Sequence, residues 1–276
     1  MIRRLAAIWL CGLIAGCSAV EFAYNNADTW LRWQAGRYLD LRGAQAEEFN
    51  ARSVAFLAWH RARALPLYAQ LAEEAGARLA LGASQADLVW GYDAIRQQSR
   101  EGLRRAGAEL GDFLDRVSPA QIEHLEGRFA QDNRKFAREA LEGTPEERRS
   151  RRLKRMVHEL EDWLGELSDA QRERVRQFND GAPLNGELRD RERRRRQAEF
   201  IGMLRAQESA RRLADWAAEW ERGREPALAA ANRTFMEGFF AMLADLERTL
   251  SARQRQIAIA RLREYARDFD LLAAAR

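Results

Sequence analysis

The sequence predicts an all-α protein of about seven to nine helices in an antiparallel bundle or a curved helical array. Three observations carry that prediction. Apolar residues recur with a 3.6-residue period through almost the whole chain, and no segment sustains the alternation of a half-buried strand. Only 5 prolines and 18 glycines interrupt 276 residues, which favours long helices over turns. Five of the periodic runs are preceded by a serine or threonine, at Ser84, Ser118, Thr144, Ser168 and Ser251, with Asp, Gln or Glu three residues later. In that pattern each side chain satisfies a backbone N–H that the first helical turn leaves open.

The first long helix is expected from about Ala44 to Leu81. Its apolar stripe runs through Phe49, Phe56, Leu57, His60, Ala64, Leu67, Leu71, Ala75 and Leu79. Pro66 should kink it, because proline lacks the N–H and crowds the preceding turn. Gly82 is a good stop. Ser84 and Asp87 start the next helix, through Trp90 and Ile95 to Leu114. Ser118-Pro119-Ala120-Gln121 opens another, ending near Gly143, with proline at the first helical position. Thr144-Pro145-Glu146-Glu147 repeats that start and turns Leu153, Met156, Val157, Leu160 and Leu164 inward. Ser168-Asp169-Ala170-Gln171 begins a short helix ending near Phe178. Residues 179–186, NDGAPLNG, are the clearest loop and a candidate hinge. Beyond them Phe200, Leu204, Leu213, Ala217 and Trp220 line one long helix that Gly223 to Pro226 break. Phe235, Met236, Phe239, Leu243 and Leu246 line the next, and Ser251 to Gln254 start the last. The organisation is therefore a leader (1–16), an N-terminal segment (17–40), and helical parts 41–178 and 187–276, which can also form one continuous domain.

The leader has its own chemistry. Arg3 and Arg4 precede an apolar run from Leu5 to Leu13. A spanning helix needs roughly 20 apolar residues, so this run is too short for one and fits a secretory h-region. It ends in Ile14-Ala15-Gly16-Cys17, small residues before a thiol. This resembles the lipobox of bacterial lipoproteins, which implies cleavage before Cys17 and attachment of acyl chains such as palmitate to its sulfur. A plain secretory leader and the buried first helix of a cytosolic protein are the other readings. Ser18 stands where an aspartate favours inner-membrane retention in some bacteria. The resemblance therefore implies an outer-membrane anchor with the body facing the periplasm. Cys11 and Cys17 are the only cysteines, so the mature chain would hold no disulfide and depend on core packing.

Hydrophobic residues at 46% and charged residues at 32% describe a globular chain rather than a disordered one. Arg3 and Arg4 supply half of the net charge of +4, leaving a body too balanced for a strongly basic nucleic-acid face. Two basic runs stand out, 148–155 and 189–196. Arg151, Arg152, Arg193, Arg194, Arg195 and Arg196 are candidates for contacting an anionic partner: lipopolysaccharide phosphate, a phospholipid headgroup or an acidic client. The other reading is a solvated helix face neutralised by nearby acids. His60, His124 and His158 stand alone, and there is no phosphate loop or nucleophile elbow. No metal, cofactor or enzymatic activity is therefore expected, a composite carboxylate site being the remaining enzymatic alternative. Trp59, Trp90, Trp163, Trp216 and Trp220 are expected in the core. Trp30 and Trp33 either pack in the bundle or sit at a membrane interface.

Three helix starts share a pattern: Val117-Ser118-x-x-Gln121, Leu167-Ser168-x-x-Gln171 and Leu250-Ser251-x-x-Gln254. A fourth, Leu41-x-x-x-Gln45, has Arg42 at the cap position. As capping boxes they need no further role. They also resemble the LTxxQ motif of the Spy and CpxP family of periplasmic helical proteins, stress-linked proteins that include an ATP-independent chaperone with a concave cradle. Residues 24–45 resemble the N-terminal signature of a family of bacterial lipoproteins of unknown function, at Tyr24, Asn25, Asp28, Tyr38, Asp40, Leu41 and Gln45. That resemblance implies location and fold. The combined expectation is a lipid-anchored, non-enzymatic binding, chaperone-like or adaptor protein of the envelope. The alternative is a structural or assembly factor at the outer membrane, oriented by the lipid with Trp30 and Trp33. Expected partners are the membrane and either an envelope protein client or an anionic lipid, with no nucleic acid.

Overall fold

Eleven helices make up residues 19–275, the part of the chain that the computed structural model describes, and no strand occurs among them. The leader and Cys17 lie outside the described residues. The helices are α1 (Ala19–Asn25), α2 (Ala27–Leu39) and α3, which runs Gly43–Trp59, through a π-helical turn His60–Ala64, into Leu65–Leu81. They continue as α4 (Gln85–Leu114), α5 (Pro119–Ala140), α6 (Pro145–Leu164) and α7 (Asp169–Gly181). The last four are α8 (Gly186–Arg205), α9 (Ser209–Ala218), α10 (Pro226–Arg248) and α11 (Ala252–Ala274). The all-α expectation holds, with more helices than expected.

All five sequence-predicted starts form reciprocal capping boxes. At α4 the Asp87 carboxylate accepts from the Ser84 backbone N–H and hydroxyl, at 2.9 and 2.6 Å, and the Arg78 guanidinium reaches it from α3 at 2.6 Å. Those three donors, the serine hydroxyl foremost, push its pKa down to about 2. Gly82 ends α3 at φ +93°, a conformation that only glycine adopts without strain.

Three elements depart from expectation. Pro66 produces the π turn: the Leu65 N–H donates to the His60 carbonyl, one residue farther back than in an α-helix. The wider turn absorbs the missing N–H and the crowding of the proline ring. The long helix expected beyond residue 187 breaks at Ala206–Glu208, where Gln207 takes φ +53°. There the Asp115 carboxylate, reaching from the end of α4, accepts from the Ser209 and Ala210 N–H groups at 2.5 and 3.1 Å and so caps α9. Residues 19–39 form α1 and α2 ahead of the first expected helix. They are nearly continuous, since the Asn26 N–H donates to Phe22 and the Trp30 N–H to Asn26.

Two apolar clusters organise the body. One joins Leu39, Phe49, Phe113, Ile122, Leu125 and Leu204, bringing α2 to α5 and α8 together. The other joins Met156, Leu167, Val175, Phe178, Met242 and Leu246, from α6, the turn before α7, α7 and α10. The second half of α3 packs along α11, and α4 packs along α9. The α4–α9 contact is close because Gly107 and Gly111 face it: a Cβ on either would lie 2.6–2.7 Å from the Cα of Ala214 or Ala210. The expected 179–186 loop shrinks to residues 182–185, pinned by Arg152. That guanidinium donates to the carbonyls of Asn179, Ala182 and Pro183 and to Asn179 Oδ1, at 2.5–3.1 Å.

Candidate functional site

The four motif glutamines meet two by two. Gln171 and Gln254 are both buried at the first turns of α7 and α11. Gln171 Nε2 donates to Gln254 Oε1 at 3.1 Å, and Gln254 Nε2 donates back to Gln171 Oε1 at 2.9 Å. Each Oε1 also accepts from its own cap serine's N–H at 3.0 Å. Each Nε2 also ties the other motif's loop: Gln254 to the Glu166 carbonyl at 2.9 Å, Gln171 to the Thr249 carbonyl at 3.2 Å. A primary amide offers two donors and one two-lone-pair oxygen, and here all are used. Gln121 and Gln45 repeat the exchange at 2.6 and 3.3 Å, with Gln121 also donating to the Leu39 carbonyl at 2.9 Å. Arg42 makes no side-chain cap at α3 and pairs with Asp40 instead. The sequence spacing of the motifs hides this pairing, since the partners lie 76 and 83 residues apart.

An open apolar cleft of about 370 Å³ adjoins the second cluster, between the α3–α4 turn, α6, α10 and α11. Leu79, Leu88, Leu160, Trp163, Phe239 and Leu243 line it, with Glu159 and Glu247 its two charged wall residues. Trp163 is exposed, held by Tyr265 at 5.7 Å between ring centroids and by Arg261, 5.5 Å over its ring. Trp163 is thus a cleft residue and not a core residue. Trp90, Trp216 and Trp220 are half-buried, each under an arginine: Arg78 at 3.9 Å, Arg196 at 3.7 Å and Arg100 at 5.3 Å.

The six candidate arginines each engage the chain itself. Arg151 donates to the Glu142 carbonyl and Arg152 clamps the 182–185 turn. Arg193 donates to Asn133 Oδ1 at 2.8 Å and Arg194 to Asp190 at 2.8 Å. Arg195 pairs with Glu192 and Glu199, and Arg196 donates to the Trp216 carbonyl at 3.0 Å. Burial, the largest cause, pulls the Arg152 and Arg196 guanidinium groups below the usual arginine range. The expected solvated face is therefore in large part a structural one. Only Arg151 and Arg194 of the six are exposed.

The N-terminal signature residues separate. Tyr24 and His60 Nδ1 are hydrogen-bonded at 3.0 Å, and the Tyr38 hydroxyl donates to Asp132 at 2.5 Å. That bond to a carboxylate raises the Tyr38 pKa. Asp28 pairs with Arg32, and Asn25 is exposed. Trp30 and Trp33 are 56% and 57% exposed, so neither packs in the bundle. His60 sits among Tyr24, Phe56, Trp59 and Tyr68, and burial lowers its pKa. Among the described residues, no three His, Cys, Asp or Glu side chains gather in a metal-sized group. No helix among them is long and apolar enough to cross a membrane.

Caps, clasps and an open cleft define an all-helical protein whose recurring motif holds its helices together. A family of unknown function (DUF6279) matches residues 37–222, more than half of the chain, and the chain belongs to that family. The matched span contains the whole Gln45–Gln121 clasp and one arm of the other, Gln171. No curated protein and no solved structure matches the chain.

Proposed function

We propose that this chain is a lipid-anchored, non-enzymatic binding protein of the bacterial envelope that holds an apolar segment of a protein client in the cleft beside Trp163. The cleft is the observation that carries the reading. Its volume falls within the range of binding pockets, its walls are mostly apolar, and the exposed Trp163 indole is one of them. Around it the clasps and caps fix the helices, so the cleft is preformed and a client segment meets little ordering cost. The anchor rests on the leader and Cys17, with the body facing the periplasm from the outer membrane.

Purified full-length protein should slow the aggregation of an unfolded envelope protein, and Trp163→Ser should abolish most of that effect while leaving the melting temperature within a few degrees. Trp163 is 38% exposed and belongs to neither apolar cluster, so the substitution removes its contacts with Tyr265 and Arg261 and leaves both clusters intact. Equal protection by the variant, or none by the wild type, would reject the cleft as the binding site. Mass spectrometry of the native N-terminus checks the anchor separately: a diacylglyceryl group on Cys17 supports it, and an intact leader rejects it.

A further inference from the structure

We infer that the exposed Phe22–Trp30–Trp33 face of α1 and α2 seats flat in the surface of a phospholipid bilayer. The inference rests on acylation of Cys17 and adds to it an orientation. An ordinary bundle helix is apolar on its inner stripe and polar on the other side. In α2 the inner stripe is Leu31, Ala35 and Leu39, packed in the first apolar cluster. On the opposite side Phe22, Asn26, Trp30, Trp33 and Arg37 fall within about 80° of arc at 100° per residue. Phe22, Trp30 and Trp33 on that arc are 68%, 56% and 57% exposed.

The covalent chain identifies the occupant. Ala19 is two positions beyond Cys17, and an extended chain spans at most about 3.6 Å per residue. Acyl chains on Cys17 therefore hold the start of α1 within about 7 Å of the bilayer. Trp33 lies 14 residues beyond Ala19, roughly 21 Å along a helix at 1.5 Å per residue. It reaches the same surface only when the two helices lie along it, and a single-sided aromatic arc is what that posture requires. The flanking charges suit a headgroup layer. Arg37 stands 5.4 Å over the Trp33 ring, and the acids Asp28 and Asp40 are paired with Arg32 and Arg42. Indole rings are at home at that depth, between hydrocarbon and water.

The test uses the acylated full chain in vesicles of phosphatidylcholine and phosphatidylglycerol whose acyl chains carry bromine near the headgroup. Bromine quenches only tryptophans that reach the lipid. The wild type should lose tryptophan emission in these vesicles, and the Trp30→Phe/Trp33→Phe protein should lose less than half as much. Flotation with the vesicles and the mass of the N-terminus are read on the same samples. An acylated, floating protein with equal quenching in both forms overturns the seat and leaves the anchor standing. An unmodified Cys17 overturns both. Protein adducts, in place of lipid adducts, at a photoreactive residue in position 30 in intact cells would also overturn it.

Discussion

Gln171 and Gln254, 83 residues apart in sequence, hold each other by two side-chain hydrogen bonds, and each also caps its own helix and ties down the loop before the other's. Replacing Gln254 with alanine takes the side-chain partner from the Glu166 carbonyl and the Ser251 N–H and removes one hydrogen bond from each end of the buried Gln171 amide. A buried polar group without its partner costs about 1–3 kcal/mol, so Gln254→Ala should lower the unfolding free energy by at least that much. Gln171→Ala should behave alike. The double variant should fall short of the sum, because the second truncation removes a group whose two cross-bonds are already gone. Urea unfolding of the four proteins measures the coupling, and strict additivity would show that the amides act only as separate caps. Gln45→Ala should cost less, since Gln45 is half-buried and its start has no side-chain cap.

How far the sequence revealed these features follows from where the signals lie. A capping box is local, three residues wide, so every S/T-x-x-D/E/Q start could be read directly. The end of α8 could not. Its terminator, Gln207, is no glycine, and the cap of α9 comes from Asp115, 94 residues earlier. Trp163 looked like core because its helix period places it on the apolar stripe, and periodicity cannot tell a closed wall from an open one. The arginine runs read as surface because charge runs usually are. Arg152 and Arg196 are half-buried because carbonyls and an indole ring receive their forks. The pairing of Gln45 with Gln121, and of Gln171 with Gln254, is a tertiary fact that equal motifs do not encode.

The α4–α9 seam makes an opposite pair of predictions for the same substitution. Gly107→Ala and Gly111→Ala each put a methyl 2.6–2.7 Å from the Cα of the facing helix, where only backbone movement can make room. Each should destabilise by about 1–3 kcal/mol, as overpacking does. Gly91→Ala and Gly102→Ala sit in the same helix with open space at the Cβ, and should stabilise by up to about 1 kcal/mol through helix propensity. Melting temperatures of the four variants decide it. Indifference at 107 and 111 would mean that the two helices are not held at this distance.

Arg152 predicts that a residue from a basic run acts as mortar. Its planar fork satisfies three carbonyls and one amide oxygen around the 182–185 turn. Lysine carries the charge without the fork. Arg152→Lys should therefore recover little of the stability lost in Arg152→Met, a loss of about 1–3 kcal/mol, since the truncation leaves neutral carbonyls unpaired and no charge orphaned. Hydrogen exchange at residues 178–186 should rise by at least tenfold in both variants. Full rescue by lysine would make the site electrostatic instead of geometric.

His60 couples the N-terminal helix to solution pH. Its ring lies in the π turn of α3, stacked at 5.7 Å on Tyr24 of α1, with Tyr68 on α3 and the Arg61 guanidinium completing the polar surroundings. Neutral Nδ1 can accept the Tyr24 hydroxyl proton, whereas the charged ring can only donate. Burial holds the imidazole pKa below its ordinary 6.5. The sign follows from linkage. The folded state binds its proton less readily than the unfolded state does, so the contribution is complete above about pH 6.5. It is lost as pH falls through that value toward the lower folded pKa. Between pH 7.5 and 5 the wild type should lose stability and exchange the amides of residues 19–25 faster. His60→Phe keeps the ring and removes the titration, so its stability and exchange should be flatter across that window. Tyr24→Phe should keep the burial-driven pH dependence of stability, while the exchange of residues 19–25, already without the hydrogen bond, should respond less to pH. Parallel pH profiles for the wild type and His60→Phe would assign the acid response to carboxylates elsewhere and leave the α1–α3 contact insensitive to the proton.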